Sequence, residues 1–380
     1  MDKSGTRNLN EKTRRIVWAK SAGRCQFQNC NEPLIGHLVS GNSGANKGYV
    51  AHIIADSVNG PRGDEELSPL LANDHTNVML LCDPCHREID RENPDAYPPE
   101  RLRQMKRDHE AWVDMVLSAG PNRRSHILQF SAPIGPNETA VPFDDCVTAI
   151  LPHRTPAEAR PIEIKVKGMH YKDTDPTYWQ VQPEVLRADF ARKVLGRFEA
   201  GDIRHLSVFG LAPIPLLMEL GRLLSDISVA DVYELQREPV QWSWPEDREE
   251  IQFALHRGAP GGKKVALKLS ITNEVSDDAV VQALGTDVSI WEISSDIHRA
   301  GIIRHKDDLR RFREIARRTF DEIQNQHGHD VDLSVFPATP LSCSVDFGRV
   351  WQPKAQPSFD VYDRTPEQVF VRRLRIGPAR

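Results

Sequence analysis

The stretch LLCDPCHREID, residues 80–90, sets Cys82 and Cys85 two residues apart and then runs into a histidine and an aspartate. A second short-spaced pair, Cys25 and Cys30, stands earlier in the chain. Structural zinc sites take four cysteine or histidine ligands at tetrahedral geometry, and two such pairs supply them. The four cysteines therefore predict a structural zinc site that ties two turns together. The alternative is four unrelated thiols, each buried as a small hydrophobic side chain.

Composition limits the classes of protein that this chain can belong to. It has 380 residues, 39% hydrophobic and 27% charged, which is enough for two or three globular domains. The net charge is −5, and acidic and basic residues nearly balance over residues 1–120, so no strongly basic nucleic-acid-binding surface is predicted. No apolar run approaches a membrane span and the N-terminus does not resemble a signal peptide. We therefore expect a cytoplasmic protein without a membrane partner, whose cysteines are thiols or metal ligands.

The chain divides by pattern into three segments. Residues 1–118 contain both cysteine pairs and end in an amphipathic helix. Residues 119–145 are rich in Pro, Gly, Ser and Asn, which predicts a linker with at most one short strand. From residue 146 to 380, strand and helix patterns alternate, passing twice through the sequence typical of parallel α/β layers. This alternation predicts two related half-domains, although no clear sequence repeat accompanies it.

The insertion between the cysteine pairs carries residues suited to hydrolytic chemistry. His52 follows a short apolar strand, Asn77 precedes another, and His86 and Asp90 are four residues apart. On a helix, a spacing of four puts two side chains on one face, where both can reach one cation.

At this point the segment resembles the HNH endonucleases, which have a ββα-metal fold, through AHI, GPRG, N and LC..CH..ID in register. The resemblance implies that His52 is the general base for phosphodiester hydrolysis and that Asn77 orients the loop or the imidazole. It implies that His86 and Asp90 hold Mg²⁺ or another divalent cation, and Arg62 is expected to contact a phosphate.

One position departs from the family pattern. Many HNH enzymes carry an acidic or histidine ligand directly before the base, where this chain has Ala51. The catalytic cation therefore keeps more water or takes another carboxylate, for which Asp56 is a candidate.

In the C-terminal segment, three stretches stand at the predicted ends of parallel strands, where α/β folds bind ligands. Small and hydroxyl residues there leave backbone N–H groups open to an anion, and nearby aromatic rings are able to stack on bases. For each aromatic residue the alternative is core packing. The predicted ligand-binding residues are Tyr178, Trp179, Pro213, Trp242, Ser270, Thr272, Pro340 and Ser342.

Together these stretches resemble the SAVED domain, which has two fused CARF-like Rossmann halves. The whole chain then resembles the HNH–SAVED effectors of bacterial cyclic-oligonucleotide anti-phage (CBASS) systems. The resemblance implies a cyclic di- or trinucleotide activator, a double-stranded DNA substrate, and a homo-oligomer that assembles from dimers into tetramers when active.

Two other functions remain open. One is a restriction-type HNH nuclease whose C-terminal domain recognises DNA, which predicts a basic C-terminal domain that the acidic net charge does not favour. The other is a non-enzymatic adaptor that binds nucleic acid through its zinc-stabilised domain. That function leaves the co-occurrence of His52, Asn77, His86 and Asp90 unexplained.

Overall fold

The computed structural model describes residues 9–37, 42–118, 123–135, 139–165, 171–225, 229–247, 249–261 and 264–377. The chain divides into two compact units, residues 1–120 and 121–380. Each has its own hydrophobic core. No helix in these described ranges is both long and apolar enough to cross a bilayer.

Over its described residues, the N-terminal unit has two short antiparallel strand pairs and four α-helices. Its elements are α1 (Glu11–Lys20), β1 (Ile35–His37), β2 (Asn42–Asn46), β3 (Tyr49–His52), α2 (Leu67–Leu71), β4 (Val78–Leu81), α3 (Asp83–Arg87) and α4 (Pro99–Ser118). Strand β3 pairs antiparallel with β4, and α3 follows at once and continues into a π-helical turn, Glu88–Glu92. All four residues of β4 are buried, because this strand lies in the centre of the core of the unit. The predicted strand–strand–helix arrangement is therefore present.

The C-terminal unit alternates strands and helices, as the sequence predicts. Its first half comprises β5 (Arg124–Ser131), α5 (Phe143–Ile150), β6 (Thr155–Pro156), β7 (Ile162–Lys165), α6 (Pro176–Phe190), α7 (Gly196–Glu199), β8 (Leu206–Leu211), α8 (Ile214–Leu224), β9 (Ala230–Tyr233), β10 (Gln236–Arg237) and β11 (Val240–Gln241). Its second half comprises β12 (Phe253–His256), β13 (Lys264–Ser270), α9 (Asp277–Leu284), β14 (Ser289–Ser295), α10 (Lys306–His327), β15 (Asp332–Ala338), α11 (Leu341–Val350), β16 (Phe359–Arg364) and β17 (Phe370–Ile376).

The two halves share one topology. In the first sheet β5 lies between β7 and β8, and β9 follows β8, with all neighbours parallel. In the second sheet β13 lies between β14 and β15, and β16 follows β15 in the same way. Antiparallel β12 and β17 extend the second sheet at its two edges. The prediction of two related parallel α/β halves is confirmed.

The prediction that residues 119–145 form a linker is wrong over much of that range. Residues 124–131 form β5, which pairs with β6, β7 and β8 and is the central strand of the first sheet. Phe143 begins α5, so this helix also overlaps the predicted linker. In the sequence, Pro- and Gly-rich segments flank β5 and make it look like part of a linker, although the last five residues of the strand are all buried.

The structure also aligns a sequence repeat that the sequence alone did not reveal. Helices α8 and α11 occupy equivalent places, each directly after the fourth strand of its half. Aligned on these helices, Phe209, Pro213, Gly221 and Arg222 have counterparts of the same type in Phe336, Pro340, Gly348 and Arg349.

The two equivalent helices pack against each other through their glycines. A Cβ atom on Gly221 would lie 1.9 Å from the carbonyl oxygen of Val345, and one on Gly348 would lie 1.9 Å from that of Met218. Only a residue without a side chain allows the two backbones to approach this closely.

Each of these helices also buries one carboxylate between arginines. Glu219 on α8 accepts hydrogen bonds from Arg187 of α6 and Arg222 of its own helix. Asp346 on α11 pairs in the same way with Arg313 of α10 and Arg349. Both carboxylates are completely buried, so these ion pairs satisfy charges that solvent does not reach.

Candidate functional site

The four predicted zinc ligands meet at one point of the N-terminal unit. Cys25 and Cys30 lie in the loop after α1, Cys82 caps the N-terminus of α3, and Cys85 lies within that helix. All four sulfur atoms are within 4.8 Å of one another, and Sγ of Cys30 is 3.8 Å from Sγ of Cys82. Zinc–sulfur bonds of about 2.3 Å at tetrahedral angles place sulfurs about 3.8 Å apart, so the spacing fits zinc.

The electrostatics of this four-cysteine cluster also favour a cation. Burial raises the pKa of Cys25 to about 12 and raises that of Cys85 as well. Thiolates at Cys25 and Cys85 are therefore disfavoured unless a positive charge enters, and a metal ion supplies that charge. Against the effect of burial, hydrogen bonds from the Glu32 backbone and from neighbouring thiols lower the pKa of Cys30. Among the described residues, these four cysteines form the group of three or more potential ligands whose donor atoms lie close enough to hold one metal ion.

His52 ends β3 and is buried, and its Nε2 lies 2.9 Å from the carbonyl oxygen of Ala72. A carbonyl only accepts, so the neutral imidazole carries its proton on Nε2 and keeps a free lone pair on Nδ1. This is the tautomer that a general base needs.

Asn77 fixes the backbone beside His52. Its side-chain carbonyl accepts a hydrogen bond from the N–H of Ile54, and its amide donates to the carbonyls of Ile54 and Leu71. Two roles were possible for Asn77, orienting the loop or orienting the imidazole of His52. These hydrogen bonds match the first, because the side chain contacts the loop backbone directly. Because Leu71 precedes Ala72, this asparagine also steadies the acceptor of the His52 hydrogen bond.

His86 and Asp90 lie on one face of α3 and its π-helical continuation. Nε2 of His86 is 3.1 Å from Oδ2 of Asp90, and the imidazole stacks on the ring of Tyr49 with centroids 5.0 Å apart. Two adjacent ligands of an octahedral cation at about 2.1 Å are about 3 Å apart, so this pair fits two neighbouring positions.

Arg62 does not take the predicted phosphate-contacting role. Its side chain is only 7% exposed. Nε donates to the carbonyl of Ile53, and a terminal nitrogen donates to that of Ile89, both at 2.7 Å. The other terminal nitrogen donates to Oδ1 of Asp90 at 2.5 Å. Arg62 thus connects the end of β3 to the helix that carries Asp90, because its loop folds inward rather than toward solvent.

His52, His86 and Asp90 line one pocket of about 140 Å³. It is lined by Val50, Ala51, His52, Ala55, Asp56, Gly60, Pro61, His86 and Asp90. His52 therefore lines the same cavity as the predicted metal pair. Asp56, the candidate additional carboxylate, lines it too, although in the described chain no third ligand comes as close to His86 and Asp90 as the cysteines come to one another.

Most of the predicted ligand-binding residues of the C-terminal unit have structural partners instead. Tyr178 is fully buried and donates its hydroxyl to the carbonyl of Pro133. Trp242 packs edge-on against Phe209. For these two aromatic residues, core packing is the correct interpretation, because both side chains face the hydrophobic cores.

The predicted residues at the strand ends are likewise engaged. Ser270 donates its hydroxyl to Glu292, and Ser342 donates both N–H and hydroxyl to Glu234. Pro213 and Pro340 are buried at the N-termini of α8 and α11, while Thr272 is half-buried and donates its N–H to the carbonyl of Ala338.

A larger pocket, about 640 Å³, lies between the residues that follow β5, those that lead into α6, and the β16–β17 hairpin. It is lined by Ile134, Gly135, Lys172, Asp173, Thr174, Trp179, Asp363, Arg364, Thr365, Pro366, Gln368 and Arg373. Of the eight predicted ligand-binding residues, Trp179 lines it. The guanidinium of Arg373 lies over the indole ring at 5.3 Å, and its buried Nε has no hydrogen-bond partner.

This pocket combines positive charge with an aromatic ring. Lys172, Arg364 and Arg373 line it together with the carboxylates of Asp173 and Asp363, and burial raises the pKa of Asp363 to about 6. Sequence reasoning missed these basic residues. For Arg373 the sequence signal is the segment VRRLRI, residues 371–376, which lies in β17.

Comparison with known proteins agrees with this fold. Residues 186–376 match the family described as SAVED, the SMODS-associated and fused to various effectors sensor domain. The chain is similar to the Acinetobacter baumannii Cap4 SAVED/CARF-domain containing receptor with the cyclic trinucleotide 2'3'3'-cAAA, at 10% identity and a TM-score of 0.43, over 72% of this chain and 55% of that one. It is also similar to the Moraxella osloensis Cap4 SAVED/CARF-domain containing receptor, at 9% identity and a TM-score of 0.39, over 73% of this chain and 57% of that one.

The chain thus spans just over half the length of these receptors. No curated protein matches it. The family match covers half of the sequence and falls within the unit in which two parallel α/β halves repeat one topology. The chain belongs to the SAVED family of sensor domains.

Proposed function

We propose that the protein is a metal-dependent endonuclease for double-stranded DNA, switched on by a cyclic oligonucleotide that its C-terminal unit binds. The observation that carries the nuclease half is the pocket around which His52, His86 and Asp90 converge. The observation that supports the sensor half is the basic pocket with Trp179. The cellular role that follows is CBASS-type anti-phage defence.

The residues of the first pocket have separate roles in phosphodiester hydrolysis. His52 accepts a proton from the attacking water at Nδ1, since Nε2 is committed to the carbonyl of Ala72. A divalent cation such as Mg²⁺, held by His86 and Asp90, would stabilise the negative charge that develops on the phosphate and the leaving oxygen. Asn77 keeps the loop beside the base in place.

The four-cysteine cluster supports this pocket from one side. Cys82 and Cys85 stand at the start of the helix that carries His86, so a structural zinc ion would anchor that helix to the loop after α1. Zinc in this role contributes to folding and takes no part in the reaction.

The second pocket suits an anionic nucleotide. Its volume is in the range of ordinary ligand sites. Arg373 offers a planar guanidinium to phosphate, and the buried ring of Trp179 lies beneath that guanidinium. The ligand acts by differential affinity for an assembled state, in which several weak DNA-binding nuclease units act together. The active form is a homo-oligomer, assembled from dimers into tetramers.

The test of the nuclease half is plasmid cleavage with Mg²⁺ and a panel of cyclic di- and trinucleotides. We expect one ligand to trigger cleavage by the wild type, no cleavage by His52→Ala, and full cleavage by His75→Ala, a half-exposed histidine beside Asp74. Unchanged cleavage by His52→Ala would remove this residue from the mechanism. Sequence-specific cleavage without any cyclic nucleotide would favour the restriction-type alternative.

The sensor half has its own comparison. Arg373→Ala should lose affinity for the activating nucleotide in a direct binding assay. Arg372→Ala should retain it, because that neighbouring side chain is exposed and pairs with Asp360. Equal affinity of the two variants would move the ligand site away from the basic pocket. Light scattering with and without ligand measures the predicted assembly.

A further inference from the structure

We infer that Arg62 restricts Asp90 to a single metal-binding oxygen and thereby selects Mg²⁺ or Mn²⁺ over Ca²⁺ in the pocket. The inference rests on the proposed divalent site and adds a specificity-determining residue to it. It assigns Arg62 a role that differs from direct contact with DNA.

The loop that carries Arg62 is held in one conformation. A Cβ atom on Gly63 would lie 2.3 Å from the carbonyl oxygen of Val58, and one on Gly60 would lie 2.6 Å from Cβ of Ala55. Arg62 itself has a φ of 57°, in the left-handed region that a residue with a side chain rarely adopts. A loop this tight aims the guanidinium in one direction.

The guanidinium is fixed at its other end as well. Three of its nitrogens donate, to the carbonyls of Ile53 and Ile89 and to Oδ1 of Asp90. Because the two carbonyls anchor the plane of the group, its bond to Oδ1 is set by geometry rather than by the charge alone. The side chain of Arg62 is only 7% exposed, so water has little access to the guanidinium.

The two oxygens of Asp90 therefore differ. Oδ1 is occupied by a permanent cation, while Oδ2 faces His86 at 3.1 Å. Of the two carboxylate oxygens, Oδ2 is the one available to a cation.

This asymmetry discriminates between hard cations. Ca²⁺ takes six to eight oxygen ligands and commonly binds one carboxylate through both oxygens, whereas Mg²⁺ takes single carboxylate oxygens and keeps several waters. A carboxylate with one blocked oxygen satisfies Mg²⁺ or Mn²⁺ and leaves Ca²⁺ short of ligands. Removal of Arg62 frees Oδ1 and should improve binding of Ca²⁺ relative to Mn²⁺.

The experiment measures Mn²⁺ binding to the full-length, zinc-loaded protein by electron paramagnetic resonance, with Ca²⁺ as competitor. Arg62→Met and Arg62→Lys are compared with the wild type, and Arg87→Met is the matched control, because Arg87 lies on the same helix as His86 but pairs with Asp83. We expect the Ca²⁺-to-Mn²⁺ affinity ratio to rise at least about tenfold in both Arg62 variants and to stay unchanged in Arg87→Met. An unchanged ratio in either Arg62 variant that retains zinc and a native melting transition overturns the inference.

A second measurement needs no Arg62 variant. The infrared difference spectrum of the wild type with and without Mg²⁺ reports, through the splitting of the carboxylate stretches, whether one or both oxygens of a carboxylate bind the cation. We expect the one-oxygen signature, absent from Asp90→Asn; a two-oxygen signature overturns the inference. Failure of the proposed function looks different: Mn²⁺ would then bind Asp90→Asn as tightly as the wild type.

Discussion

The contact between α8 and α11 offers the sharpest test of how this fold is held together. Gly221→Ala introduces one methyl group into a helix interior, a change that by helix propensity alone stabilises by about 1 kcal/mol. The new Cβ atom would lie 1.9 Å from the carbonyl oxygen of Val345 and 2.9 Å from the amide nitrogen of Arg349. Both are backbone atoms, so no side-chain rotation relieves the clash.

The expected magnitude follows from this geometry. Real Cβ atoms essentially never come within 3.0 Å of another heavy atom. The helices must therefore separate by about 1 Å, which loosens the contacts of the buried residues along both. Overpacking of this kind typically costs about 1–3 kcal/mol or more, and it outweighs the propensity gain. We expect a net loss of about 2 kcal/mol, or about 4–8 °C in the melting temperature of the C-terminal unit.

The assay is differential scanning calorimetry of the wild type, Gly221→Ala and Gly196→Ala. Gly196 begins α7, and a Cβ atom there meets no heavy atom within 4 Å. Gly196→Ala should therefore be neutral or stabilising by up to about 1 kcal/mol. Equal melting temperatures for Gly221→Ala and the wild type would refute the close-packing argument. So would equal destabilisation by the two variants.

Three further predictions concern single sites. Cys82→Ala should lower the zinc content and make the N-terminal unit melt early, because ligand loss removes binding energy that is also folding energy; full zinc and full stability in that variant would exclude the four-cysteine site. Burial raises the pKa of Glu234 to about 7, against the hydrogen bonds from Ser342, so the folded state holds this proton more tightly than the unfolded state, and the stability of the unit should fall as pH rises from about 4.3 to 7. Glu234→Gln should flatten that slope in urea unfolding at several pH values, and an identical slope would contradict the assignment. Tyr49→Ala should weaken Mn²⁺ binding by removing the ring that orients His86, while Tyr49→Phe, which keeps the ring, should bind as the wild type does; equal loss in both variants would assign the effect to the hydroxyl.

In the N-terminal unit, the spacing of chemically distinctive residues was enough to predict several side-chain contacts. Two short-spaced cysteine pairs and the separation of four between His86 and Asp90 predicted which side chains come together, and the structure brings them together. Spacing of this kind is informative because short turns and single helical turns have nearly fixed geometry. The role of Arg62 lay beyond this reasoning. An arginine in a glycine-rich loop suits a phosphate contact equally well until the path of the loop is known.

The C-terminal unit shows the same limit on a larger scale. Alternating hydrophobic patterns predicted its parallel α/β halves, because periodicity reports which face of an element is buried. Periodicity does not report what covers that face. The sequence could not show that Tyr178 and Trp242 pack in the cores, or that β5 runs through the centre of a sheet between Pro- and Gly-rich flanks.

By itself, then, the sequence determined the parallel α/β class of the two C-terminal halves and the four cysteines that converge, while the hydrolytic roles of His52, His86 and Asp90 stay predictions. Only the tertiary structure paired α8 with α11 through Gly221 and Gly348, buried Glu219 and Asp346 between arginines of separate helices, and turned Arg62 toward Asp90. Local pattern fixes the backbone conformation of short segments. The partners of a buried side chain come from segments distant in the chain, so they are decided when the elements pack.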